Sequence, residues 1–202
     1  MSADAPEPRA RNRRTLLTIA AVFLLPLVLA FVTYYGTGWR PGAHVNHGVL
    51  ISPPRPLPRV RLAPPAPADA TQRTDPLGGG RWSLVYIGHG DCDVACRRAL
   101  YVMRQTRLSL NNDMTRVTRV FLATGECCAR EFLAREHPGL VVLEAAGADG
   151  EALLRAFPAA GREHQLFVVD PLGNLVMSYD ARQNPHGLLA DVKKLLRLSQ
   201  IG

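Results

Sequence analysis

Residues 82–100 read WSLVYIGHGDCDVACRRAL, and the fold turns on this stretch. Trp82–Ile87 is a short apolar run of β-forming residues, the pattern of a buried strand. From Asp93 to about Leu110 the spacing becomes helical: Cys96, Ala99, Leu100, Met103 and Leu110 share one face, while Arg97, Arg98, Arg104 and Arg107 fall mostly off it. A strand feeding directly into a helix, with two cysteines at the junction, begins a β-α-β unit.

The downstream pattern extends this unit. Val117–Leu122 and Leu140–Leu143 read as strands, with short helices over Cys127–Arg135 and Gly150–Phe157. Gln165–Val169 and Asn174–Tyr179 form a hairpin through Asp170-Pro171-Leu172-Gly173. Asn184 caps a last helix with Pro185 at its first position, and Leu188, Leu189, Val192, Leu195 and Leu196 form its buried face. Strands alternating with helices give a mainly parallel sheet with right-handed crossovers. A β-α-β unit followed by β-β-α is the thioredoxin arrangement, so the expected class is α/β, thioredoxin-like, over residues 81–202.

Upstream the composition changes. Residues 15–35, TLLTIAAVFLLPLVLAFVTYY, carry no charge and are long enough to span a bilayer. Pro26 is tolerated in such a helix, and Tyr34, Tyr35 and Trp39 supply an aromatic edge. Arg9, Arg11, Arg13 and Arg14 precede the segment against Asp4 and Glu7. The positive-inside rule therefore makes residues 1–14 a cytoplasmic tail and exports the C-terminal part. A cleaved signal peptide fits less well, because the apolar run continues past Val28-Leu29-Ala30. The expected location is the inner membrane, single-pass, with the C-terminal domain periplasmic and residues 15–35 contacting lipid. Residues 36–80 hold nine of the sixteen prolines and read as an extended stalk, with Val60 and Leu62 as the one trace of an edge strand.

The chain of 202 residues has a net charge of +7. Setting aside the four Arg and two acidic residues before position 37 leaves 20 basic against 15 acidic residues, or +5. These charges are scattered with few aromatics among them, which argues against nucleic acid as a partner. Four cysteines are too few for a disulfide-dense scaffold.

Cys92 and Cys96 stand beyond the carboxyl end of a strand, where α/β folds build their sites. A helix N-terminus favours thiolate, and i,i+4 spacing puts both sulfurs on one side of the first turn. The pair suits a reversible disulfide or two ligands for a soft metal such as Cu(I), and it also suits plain structural packing. Cys127-Cys128 follows the next strand and ends on the same rim, where a resolving or alternative-ligand role competes with helix packing. Adjacent cysteines rarely close a relaxed disulfide with each other.

Leu84–Cys96, LVYIGHGDCDVAC, resembles the SCO (SCO/SenC-type) family of cytochrome c oxidase assembly proteins, whose signature is an apolar strand, Gly, an aromatic, Thr, one residue and Cys-Pro-x-x-Cys-Pro. Gly88, Cys92, Cys96 and Leu100 match without gaps. Asp93 and Arg97 replace both prolines, and His89-Gly90 replaces the aromatic-Thr pair. The resemblance covers about residues 57–199 together with the membrane anchor. It implies a periplasm-facing protein that assists oxidase maturation, copper as the metal, and an oxidase subunit or another assembly factor as partner. The family's ligands are two Cys and one His just before the strand that leads into the hairpin. Cys92 and Cys96 are thus the implied redox and metal residues, with His164 as the third ligand. The family His lies two residues earlier, at a position that falls on Arg162. His89 is a substitute ligand, and His44 and His47 are candidates for copper capture in the stalk. A general periplasmic thiol-disulfide oxidoreductase and a non-catalytic tethered interaction module are the alternatives.

Overall fold

The computed structural model describes residues 8–36, 46–66, 74–77, 79–199 and 201. The chain divides into two units, Met1–His44 and Val45–Gly202.

The first unit holds helix α1, Pro8–Gly36, with Pro26 inside it. Its Asn12–Gly36 part is long and apolar enough to cross a membrane and buries nothing within the structure. Large apolar side chains from Leu16 to Tyr35 are exposed all round. A helix apolar on every side has no aqueous face to offer, which suits lipid rather than a water-bounded core. The Thr18 and Thr33 hydroxyls donate back to the carbonyls of Arg14 and Leu29, so neither is left unsatisfied.

The second unit is a six-stranded sheet in the order β1-β6-β5-β2-β3-β4. Its strands are β1 (Val49–Pro56), β2 (Trp82–His89), β3 (Val117–Thr124), β4 (Leu140–Glu144), β5 (Gln165–Val169) and β6 (Asn174–Asp180). Strands β2, β3 and β4 run parallel, with Tyr86 opposite Phe121 and Phe121 opposite Val142. Strand β5 joins β2 antiparallel, and β6 joins β5 antiparallel. The helices are α2 (Val94–Leu108), α3 (Arg130–Glu136), α4 (Gly147–Ala156) and α5 (Pro185–Leu198), with 3-10 turns at Asn111–Arg116 and Arg162–His164.

Strand β2 is buried on both faces, and its side chains divide by the two-residue period. Trp82, Leu84 and Tyr86 enter a core with Ala99, Leu100 and Met103 of α2 and Leu188 and Val192 of α5. Val85 and Ile87 enter the opposite core with Leu153 of α4 and Phe167 of β5. Both layers of a three-layer α/β sandwich are therefore dictated by one strand. This is the expected thioredoxin-like class, with β1 added at the edge.

The expected stalk over 36–80 differs from what is observed in its described part. Val49–Pro56 pairs antiparallel with β6, through Val49 opposite Ser178 and Arg55 opposite Leu175, and a bulge separates the two paired ends. Leu57, Leu62 and Leu77 are buried in the core beside α4. The Leu57 N–H donates to the Gly173 carbonyl, and Leu62 and Thr74 exchange backbone hydrogen bonds. Proline excludes a helix but not an edge strand with a bulge, where ladder donors are dispensable. Helix α3 also starts later than expected, at Arg130 rather than Cys127.

Candidate functional site

The loop between β2 and α2 carries the chemistry. Asp93 caps α2, its carboxylate accepting the Cys96 N–H at 2.9 Å, which fixes where the helix begins. One residue earlier, Cys92 sits at φ +52°, a conformation that side-chain-bearing residues seldom adopt. Its N–H donates to the His89 carbonyl, and its own carbonyl accepts from Arg97 Nε at 3.2 Å. The Arg97 guanidinium lies 4.7 Å from the centre of the Phe132 ring of α3, tying the loop to the next helix.

Cys92 and Cys96 are joined as a disulfide with Cα atoms 5.0 Å apart, inside the ordinary range for such a bond. Each is 1% exposed. Cys127 and Cys128, adjacent just before α3, are joined to each other through their sulfurs and are partly exposed. They pack against the core that holds Cys92 and Cys96.

The loop's fit against its neighbour depends on Gly90. A Cβ there would lie 2.2 Å from the Glu126 carbonyl oxygen and 2.6 Å from Cys127 Cα. With glycine, the two backbones meet: Gly90 N–H donates to Thr124 O, and Ala129 N–H donates to Gly90 O at 2.9 Å. The sequence marked Gly90 only as a departure from a motif, and this close approach is its physical reason.

His164 ends the 3-10 turn before β5, and that turn packs on α2 and β2. Its carbonyl accepts the Ala181 N–H at 2.7 Å, and the Ala181 carbonyl in turn accepts from Arg98 Nε of α2. The imidazole is 31% exposed, with Nε2 3.9 Å from Glu163 Oε1. Among the described residues, no three His, Cys, Asp or Glu side chains converge as a metal-ligating group. His89 instead pairs with Asp91 at 2.9 Å, both exposed. His47 binds Asp191 of α5, while His44 lies outside the described residues.

Sequence reasoning missed Tyr86. It is fully buried, stacks on Phe121 at 5.7 Å, and its hydroxyl donates to the Glu163 carbonyl at 3.0 Å. Burial first, then the charges of Asp93 and Glu163, push its pKa far above the ordinary phenol range, so it remains a neutral donor. Tyr86 thus holds the turn bearing His164 against β2. The contact spans 77 residues of sequence, and no local pattern announces it.

A thioredoxin-type sheet with a paired Cys-x-x-x-Cys at the end of its central parallel strand defines a thioredoxin-fold dithiol protein. The chain belongs to the family described as transmembrane-like, thioredoxin-like, C-terminal domain, whose model matches residues 82–199. No curated protein matches it by sequence. Among solved structures it is similar to apo Sco1 from Thermus thermophilus, with 18% identity, a TM-score of 0.58, and coverage of 76% of this chain and 99% of that one. Yeast Sco1 with copper bound aligns at 15% identity and a TM-score of 0.58, covering 71% and 94%. A thiol:disulfide interchange protein of the thioredoxin family from Chlorobium tepidum aligns at 18% and 0.52, covering 71% and 97%. At these identities the likeness is one of fold.

Proposed function

We propose that this protein is anchored by α1 with its thioredoxin-like domain in the periplasm, and that it assists cytochrome c oxidase maturation through Cys92 and Cys96. It acts by delivering copper, by reducing thiols, or by both. The observation that carries this reading is the Cys92–Cys96 pair at the β2–α2 junction of a fold shared with copper-bound Sco1. Reduced, the two sulfurs stand within one helical turn and suit Cu(I) as cargo. His164, on a turn packed against α2, is the proposed third donor. Arg9, Arg11, Arg13 and Arg14 in the first two turns of α1, ahead of its uncharged run, support the orientation.

The test is copper retention by the reduced, full-length protein after buffer exchange. One copper ion per chain is expected, with binding lost in Cys92→Ser and in Cys96→Ser. His164→Ala should weaken Cu(II) while sparing Cu(I), since two thiolates alone hold Cu(I). Failure of the wild type to retain copper would remove the delivery role and leave thiol reduction. Unchanged Cu(II) affinity in His164→Ala would remove His164 as a ligand, and His89→Ala would be the next variant. A general thiol-disulfide oxidoreductase is the second reading, favoured by the likeness to the Chlorobium tepidum interchange protein. Asp93 and Arg97, standing where the Cys-Pro-x-x-Cys-Pro signature has its two prolines, weigh against it.

A further inference from the structure

A dithiol site that cycles must be reduced, and here the bond to be reduced is inside the protein. Cys92 and Cys96 are each 1% exposed, so an external thiolate has no direct line to either sulfur. The other two cysteines occupy the opposite situation. Cys127 and Cys128 are partly exposed, and Cys128 lines an open cavity of about 320 Å³ with Arg130, Leu133, His137 and Leu140. They also pack against the same core cluster as the buried pair. Gly90, two residues before Cys92, admits Cys127 so closely that no side chain fits between them, and the Gly90 carbonyl is bonded to the Ala129 N–H. One pair thus faces inward and the other outward across a shared backbone contact.

We propose that Cys127 and Cys128 are the surface relay through which a dithiol protein reduces the buried Cys92–Cys96 bond. The inference rests on the reading of Cys92 and Cys96 as a redox pair. The structure pairs Cys127 with Cys128, so the external dithiol first reduces that surface pair, forming its own disulfide, and the relay then starts with both as thiols. A thiolate of this pair attacks one sulfur of the Cys92–Cys96 bond. That bond breaks, a mixed disulfide forms, and the displaced sulfur leaves as a thiolate and takes a proton. The external dithiol then attacks the relay sulfur of the mixed disulfide at the surface, releasing the second buried sulfur as thiolate. Its other thiol closes the reductant's own disulfide and frees the relay cysteine. Two electrons pass from the external dithiol to the buried pair, and Cys127 and Cys128 finish as they began.

The experiment follows reduction of Cys92–Cys96 in the full-length protein in detergent micelles, by timed alkylation and mass spectrometry. The reductants are reduced thioredoxin as the protein dithiol and dithiothreitol as the small one. The Cys127→Ser/Cys128→Ser double variant should melt like the wild type and be reduced by thioredoxin at least tenfold more slowly. A Cys127→Ala/Cys128→Ala chain should behave in the same way. Independently, oxidised Cys96→Ser protein should yield a peptide linking Cys92 to Cys127 or Cys128. Equal thioredoxin rates in wild type and folded double variants, or absence of that cross-link, would overturn the relay while leaving the redox pair intact. Failure of dithiothreitol to open Cys92–Cys96 in the folded wild type would overturn both.

Discussion

Single residues in this protein hold positions that later chemistry depends on. Asp93 satisfies the Cys96 amide and starts α2, so Asp93→Ala should cost about 1 kcal/mol. A lowered urea midpoint with an unchanged slope would register it, and an unchanged midpoint would show that the cap is idle. His137 is a second case. It closes α3, is 4% exposed, packs against Phe132, and its Nδ1 finds no partner among the described residues. Burial first, then Arg119 and Arg104, lower its pKa, with Glu136 opposing. The unfolded chain therefore binds a proton that the folded chain refuses. The associated stability is present above the ordinary imidazole value of about 6.5 and drains away as pH falls below it. Urea midpoints should drop between pH 7 and pH 5, and the drop should be smaller in His137→Asn. An equal drop in both chains would assign the effect elsewhere.

At the scale of elements, local signals and long-range ones part company. Strand β2, the hairpin β5–β6 and the capped helix α5 were legible because short apolar runs, a Pro-Leu-Gly turn and Asn184-Pro185 are each written in adjacent residues. Strand β1 was hidden by its own prolines, and its place in the sheet is fixed by residues more than 100 positions away. Asp191 of α5 is the main tie: buried, it accepts the N–H groups of His47 and Gly48 at 2.8 Å and faces His47 Nδ1 at 3.2 Å. Asp191→Ala would strand two backbone donors at a cost of about 2–4 kcal/mol, read as a lower melting temperature. A chain beginning at Arg81, the boundary that the sequence suggested, should lack a cooperative melt that one beginning at Asn46 retains. At the site, the cysteine pair was legible from its position after β2. Tyr86 holding the turn of His164, and Gly90 admitting Cys127, were not, since both are meetings of distant segments.

For the whole molecule, orientation is the property that decides which compartment the thiols meet. A reporter active only in the periplasm, fused after Gly202, should be active, and reversing the charge of Arg9, Arg11, Arg13 and Arg14 should scramble the insertion. Activity of a cytoplasm-only reporter at that site would refute the topology. Anchoring also confines copies to a plane, where chance encounters between them are frequent and prolonged. The bulged middle and end of β1 carry Pro53, Pro54 and Pro56, all exposed, on the border of the sheet. None of the three has an N–H to offer an incoming strand, so the β1 border of the sheet is a poor template for edge-to-edge pairing with a second copy. Replacing Pro53 and Pro54 with Val should increase cross-linking between copies in vesicles, and no increase would show that the prolines play no part in keeping copies apart. The same residues that disguised β1 in the sequence would then be what allows this protein to stay solitary in a crowded two-dimensional population.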